Sequence, residues 1–350
     1  KRYAEIGKSE ITEFKTGEIH YFDANNLYGW SMTQKLPYND FEFWPEGCNL
    51  TSEEILAIDP EGETGYTFEI DIDYPEELHS NSAHSELPLL PENIIIDETM
   101  YSNFQTKLGD KGTTCKKLIT SFSDKRRYVV HLKMLQFALK QGLKLVKIHR
   151  VLKYTQKDWM RSYIEFNTNQ RTKAKSDFEK DLFKLLNNSV YGKTMEDVRK
   201  RVSGTFYIPS TQDREINKKI QKPNYKGNIC YNNGNLYLVN MGPSKIRLDK
   251  PIYIGQAVLD ISKVLMYDFF YNVIKKDFND KVELCYMDTD SLILDFDKSI
   301  DVSKYIIENS KHFDLSNVSN DSKLFNGLNE NDIKTLQTVN KKVVGKMKSE

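Results

Sequence analysis

The stretch Cys285–Phe296, CYMDTDSLILDF, places two carboxylates, Asp288 and Asp290, inside an otherwise apolar run. Upstream, Val282, Leu284 and Tyr286 alternate with Glu283 and Cys285; downstream, Leu292 and Leu294 alternate with Ile293 and Asp295. Period-two alternation on both sides of a short polar break predicts strand, tight turn, strand. Asp288 and Asp290 then fall at the turn, where side chains at i and i+2 share one face. Two ionised carboxylates that close repel each other and resist desolvation. A hard cation such as Mg²⁺ relieves both problems, because it takes oxygen ligands and keeps places for water and phosphate. Asp and Ser also favour turns for local reasons, and a solvated turn is the commoner reading of a lone DxD. The pair therefore needs partners elsewhere in the chain.

The chain has 350 residues, enough for two or more lobes and a sizeable core. Hydrophobic residues make up 39% and charged ones 29%, as in globular chains, and no apolar run approaches a membrane span, so no membrane partner is expected. Fifty basic residues balance 50 acidic ones, so any polyanion-binding surface must be local. Cys48, Cys115, Cys230 and Cys285 show no CxxC spacing, which disfavours a zinc site or disulfide framework and fits an intracellular, reducing compartment. The chain opens on Lys1 with no visible signal peptide, as expected of a piece cut from something longer. Texture changes along it. Residues 38–100 carry short strands such as GYTFEIDID, residues 115–165 are basic and expected to be helical, and residues 170–200 read as one long helix. Residues 205–250 carry short strands including GNLYLVNM, and 254–275 read as a further helix. This irregular order predicts an α+β fold with insertions.

A third carboxylate stands at the end of another short strand. In IHYFDANNLYGW, residues 19–30, the strand ends at Asp23 and is broken by Asn25, Asn26 and Gly29. Alone, Asp23 suits a turn or a helix cap as well as a metal. A basic stripe follows in RTKAKSDFEKDLFKLLNNSVYGKT, residues 171–194. At about 100° per residue, Lys180, Lys184, Asn188 and Tyr191 fall within roughly 60° of Lys173. Such a stripe is ordinarily the solvated face of an amphipathic helix. Mixed with Asn and Tyr at its C-terminal end, it also suits a triphosphate along the lysines and a flat base or sugar near the tyrosine. Two decoys fail. GKT at 192–194 lacks the earlier glycine of a phosphate-binding loop, because position 187 is Asn. Asp71 and Asp73 repeat the DxD pattern of metal-dependent glycosyltransferases without a nearby lysine stripe, and read as structural, solvent-facing acids.

Three motifs now stand in order: D-x-N-N-L-Y-G at 23–29, K-x3-N-S-x-Y-G at 184–192 and Y-x-D-T-D-S at 286–291. Together they resemble the palm and fingers of a family B DNA polymerase over nearly the whole chain. The resemblance is to the protein-primed branch of terminal-protein phages, adenoviruses and linear plasmids. KLLNNSVYGKTMEDVRKRV and KPIYIGQAVLDISKVLMYDFFYNVI are similar to the Polinton/Maverick type. The resemblance implies an antiparallel palm sheet with packed helices, helical fingers and two insertions. It implies palm at 1–37 and 251–350, a first insertion of the terminal-protein- and DNA-contacting type at 38–150, fingers at 151–204, and a second insertion of the strand-displacement type at 205–250.

The resemblance also implies roles. Asp23, Asp288 and Asp290 would be the catalytic, metal-holding carboxylates for two Mg²⁺ ions, or Mn²⁺ in their place. Tyr28 would be a steric gate against ribose. Lys180, Lys184, Asn188 and Tyr191 would bind the incoming dNTP. Tyr286, Thr289 and Ser291 would support the carboxylates and the primer end, and Lys346 and Lys348 would face primer phosphates. Implied partners are a DNA primer-template, dNTPs and a terminal protein, with KRRYVVHLK at 125–133 a candidate contact for protein or phosphates. The sequence departs from the family at Gly29, where a proline is common. The proofreading exonuclease and the thumb are expected to be lacking, which leaves open a catalytically impaired fragment that only binds DNA or terminal protein. A reverse transcriptase fits less well, since Thr289 separates aspartates that are adjacent in that class.

Overall fold

The hairpin forms. Strands Val282–Asp288 and Ser291–Phe296 pair antiparallel in a computed structural model that describes residues 17–44, 49–96, 100–101, 103–109 and 115–349. Cys48 and residues 1–16 lie outside the described residues; Cys115, Cys230 and Cys285 form no disulfide. The strand Glu18–Ala24 adds antiparallel to Ser291–Phe296, with Asp23 opposite Ser291. The short strand Met347–Ser349 adds to its other edge, with Asp23 opposite Lys348. Four strands from three distant segments thus make one sheet around Asp23. One face buries Phe22, Leu292, Leu294 and Phe296 against Phe269, Phe270 and Phe313, an aromatic-rich core that holds the strand ends at fixed heights.

A second four-stranded antiparallel sheet has the order Leu36–Trp44, Lys144–Lys157, Thr64–Asp73, Lys125–His131. The helical expectation for 115–165 is therefore corrected: only Leu132–Lys140 and the start of Arg161–Lys173 are helical there. Val130, Ile148, Val151 and Tyr154 are β-formers whose buried side chains outweigh the basic residues between them. The basic run at 125–133 is largely consumed by ion pairs. Lys125 is buried on Glu92 at 2.9 Å, Arg126 pairs with Asp73 at 2.7 Å and Arg127 with Glu69 at 3.2 Å. Asp71 accepts from the backbone N–H of Arg127 at 2.8 Å and lies 2.8 Å from His149. Asp71 and Asp73 are thus rungs of a cross-strand ladder, as a structural reading requires, with Asp71 shielded instead of facing solvent.

The single helix expected over 170–200 is two: Arg161–Lys173 and Asp177–Thr194. Ser176 Oγ accepts from Glu179 N–H at 3.3 Å, and Glu179 accepts from Lys175 and Ser176 N–H, a capping box that starts the second helix afresh. The helix Ile252–Asp268 runs on through a π-helical segment, Phe269–Lys275.

The chain divides into two units. The larger comprises residues 1–188 and 256–350 and holds both four-stranded sheets. The smaller, 189–255, has strands in the order Ser203–Tyr207, Leu236–Met241, Tyr225–Tyr231 and the helix Pro209–Ile220, closed over Tyr207, Ile216, Val239 and Met241.

Candidate active site

Backbone hydrogen bonds bring Asp23 and Asp290 together. Ala24 N–H donates to the carbonyl of Asp290 at 2.7 Å, so the end of one strand is stitched to the hairpin turn. The turn is tight: Asp290 N–H donates to the Asp288 carbonyl at 2.6 Å, and Thr289 between them has φ +51°. Positive φ at a β-branched residue is a strained conformation that surrounding bonds must hold. Thr289 Oγ1 donates to Asp288 Oδ1 at 3.1 Å, and buried Ser291 donates to the Asp288 carbonyl at 3.2 Å.

Beyond Asp23 the chain enters the helix Leu27–Met32, which carries Tyr28. Asn26 caps it from a left-handed conformation, φ 44°, accepting from Gly29 N–H at 3.2 Å. Proline has no N–H to give, so Gly29 is part of this cap, and a side chain there would meet Asn26 at 2.2 Å. Ser31 donates to the Val258 carbonyl at 2.9 Å and pins the helix from behind.

A cavity of about 470 Å³ opens over these groups. Asp23, Tyr28, Thr289 and Asp290 line one side; Lys180, Lys184 and Asn188 of the second helix line another; Lys348 completes it. Residues from three separate sequence motifs therefore face one space. Lys180 also pairs with Asp177 at 2.9 Å. Burial, and then the neighbouring Asp288, raise the carboxyl pKa of Asp290, while Lys184 and Lys348 pull it down. Burial, Asp290 and Asp288 raise the Tyr28 phenol, which keeps it neutral.

Other expected residues are not among those that line the cavity. Asp288 and Tyr286 are exposed on their strand and do not line the cavity, and Ser291 sits beneath the turn. Lys346 donates to the Lys311 carbonyl at 2.7 Å and turns away from the cavity. Tyr191 belongs to the smaller unit. Sequence reasoning missed Arg171, Lys342 and Asn317, which also line the cavity. Arg171 opens the segment 171–194 but falls about 200° from Lys173 on a continuous helix, so the stripe left it out; its basic charge was the available signal.

Among the described residues no three His, Cys, Asp or Glu side chains form a metal cage. Asp23 and Asp290 nevertheless fit a hard cation completed by water and phosphate oxygens. Both offer oxygen donors to one cavity, and the repulsion Asp290 feels from Asp288 is what such an ion relieves.

The family model for DNA polymerase type B, organellar and viral, matches residues 3–276. The chain belongs to that family. The match takes in Asp23, Tyr28, Lys180, Lys184 and Asn188 and stops short of the hairpin at 282–296. Among solved structures, the type B chain is similar to Phi29 DNA polymerase complexed with primer-template DNA and incoming nucleotide, at 18% identity and TM-score 0.46 over 83% of this chain. It is similar to the orthorhombic form of the same polymerase at 19% identity and TM-score 0.45, and to its complex with single-stranded DNA at 18% and 0.42. The chain spans 41% of the length of each of those proteins. No curated protein matches it by sequence. Among the described residues no helix is long and apolar enough to cross a membrane.

Proposed function

We propose that this chain is the nucleotidyl-transfer core of a template-directed DNA polymerase. The observation that carries the reading is the single cavity shared by Asp23, Asp290 and Tyr28 with Lys180, Lys184 and Asn188. In the reaction a primer 3′-oxygen forms a bond to the α-phosphorus of a dNTP. The bond to the pyrophosphate oxygen breaks, pyrophosphate leaves with its electron pair, and the 3′-hydroxyl proton passes to solvent. Asp23 and Asp290, with Asp288 close in charge, would hold Mg²⁺, which supplies charge stabilisation to the attacking and leaving oxygens. Lys184 and Lys180 neutralise charge on the leaving phosphates. Tyr28 closes the floor under the sugar, and Asn188 borders the nascent base pair. In this reading residues 1–37 and 251–350 are palm and 151–204 fingers, with insertions at 38–150 and 205–250. Priming by a terminal protein and kinship with Polinton-type polymerases rest on the motif spellings at 184–202 and 250–274.

A defined primer-template with Mg²⁺ and one dNTP at a time tests this. Only the nucleotide complementary to the template should be incorporated. Absence of incorporation, or incorporation independent of template, overturns it. One observation favours a second reading, a polymerase fragment that binds without catalysis: Asp288 stands outside the cavity. Nucleotide and DNA binding without incorporation would select it.

Tyr28→Val follows from the same geometry. Its ring projects from a capped, pinned helix into the cavity, so truncation opens space without unseating Asp23. Ribonucleotide use relative to deoxyribonucleotide should rise by roughly 100-fold. An unchanged ratio in single-nucleotide kinetics removes the gate role.

A further inference from the structure

Asp314 is 2% exposed and forms no ion pair among the described residues. It lies at the start of an irregular segment, beside the parallel bridge of Phe313 to Met347. Four hydrogen bonds reach it or leave it. Asn25 Nδ2 donates to Oδ2 at 2.6 Å, Lys342 N–H to the same oxygen at 2.9 Å, and Ser316 N–H to Oδ1 at 3.0 Å. Its own N–H donates to the Met347 carbonyl at 2.7 Å. Burial opposes its charge, but these donors hold the carboxyl below the ordinary value. A buried carboxylate retained on donors instead of a cation costs desolvation, so its geometry must serve something.

What it holds is Lys342. This residue has φ +57°, a left-handed conformation that costs a lysine energy unless its surroundings fix it. The bond from its N–H to Asp314 is one such restraint. In that conformation Lys342 lines the cavity together with Arg171 and Lys180. Partial burial, then Lys341, Arg171 and Lys180, lower its ammonium pKa, and Asp314 only partly offsets them, as expected where several cations converge. Through Asn25 the same carboxylate also grips the loop just after Asp23: Asn25 N–H donates to the Lys346 carbonyl at 2.8 Å, and Gly345 N–H to the Asn25 carbonyl at 2.7 Å.

We infer that Lys342 is a further contact for the triphosphate of the incoming nucleotide, and that Asp314 is the positioning residue that sets it there. This rests on the polymerase reading. Lys342 sits with the basic groups of the helices Arg161–Lys173 and Asp177–Thr194, so its anion is the nucleotide's phosphates and not the nucleic-acid backbone.

The test measures binding of dATP, deoxyadenosine and a single-stranded oligonucleotide to the intact chain by calorimetry, in Mg²⁺ and without primer. Lys342→Gly removes the ammonium and relieves the left-handed backbone, so its thermal midpoint should not fall. It should weaken dATP by about tenfold, leave deoxyadenosine and oligonucleotide unchanged, and raise the dNTP KM of primer extension more than it lowers kcat. Lys342→Arg should retain dATP affinity. Asp314→Asn should weaken dATP similarly and add nothing further in the Lys342→Gly background. Unchanged dATP affinity in Lys342→Gly overturns the phosphate role, and loss confined to the oligonucleotide assigns Lys342 to nucleic acid instead. Additive losses overturn the positioning role of Asp314. If the unaltered chain fails to prefer dATP over deoxyadenosine, the polymerase reading falls, and this inference with it.

Discussion

Asp290→Asn is expected to abolish incorporation, by roughly a thousandfold or more, while making the metal-free chain harder to melt at neutral pH. The two effects have one cause. Asp290 has its carboxyl pKa raised above the ordinary 3.8 by burial and by the charge of Asp288. A raised carboxyl pKa means that the folded chain binds the proton more tightly than the unfolded one. Stability therefore falls as pH climbs from the unfolded value through the folded one, and the full penalty stands at pH 7. Asparagine keeps the shape and cannot ionise, so the penalty disappears along with a ligand oxygen. Thermal melts of both chains in EDTA should show the variant higher at neutral pH and the two equal below the ordinary aspartate range. Primer extension run beside them should show the loss. A variant that melts lower at neutral pH would mean that Asp290 serves the fold and not the site.

That trade explains why the site was partly legible in sequence. Carboxylates in an apolar hairpin contradict local folding preference, and such contradictions mark function. Asp23 and Asp290 were visible because one lies near the end of a short strand and the other in the turn of an alternating hairpin; pairing of Asp23 with Ser291 and the Ala24 N–H bond to Asp290 then bring them together. The strand Lys144–Lys157 was hidden for a physical reason. Lys144, Lys147, Arg150 and Lys153 recur every third residue, which imitates a helical stripe. The partner register shifts at Glu69/Ile70 and Asp71/Ile72, and these bulges break the alternation that would have revealed it. The break between the two helices was legible in principle, since Ser176 and Glu179 spell a capping box, but the lysine stripe carried the reading straight across it. Lys342, Asp314 and Asn25 were not legible. They lie on irregular backbone, where no period exists, and Asn25 meets Asp314 across 289 positions of chain while Lys342 meets it across 28.

Glu86→Ala should show how far the support of the site extends. Glu86 ends the short helix Ser82–Glu86, far in sequence from the hairpin. One carboxylate oxygen pairs with Lys275 at 2.7 Å, and the other accepts from Leu284 N–H at 2.7 Å. The strand register slips between Leu284 and Tyr286, so Glu86 supplies a bond beside the irregularity. Lys275 is 5% exposed and also donates to the Val282 carbonyl at 2.7 Å. It closes the π-helical segment Phe269–Lys275, whose extra residue per turn redirects the side chains that follow. Removing the glutamate leaves a buried ammonium without its counter-charge and a strand N–H without its acceptor. Breaking such a pair from one side costs about 3–5 kcal/mol, enough to lower the thermal midpoint by several degrees in a chain of this size. Because Leu284 lies on the strand that leads to Asp288, primer extension should fall at temperatures where the variant is still folded by circular dichroism. Lys275→Met in the Glu86→Ala background should recover most of the stability, since an apolar side chain of similar length suits the vacated space. If the double variant is no more stable than the single one, the cost lies in the lost Leu284 bond, and the carboxylate supports the strand more than it neutralises the lysine.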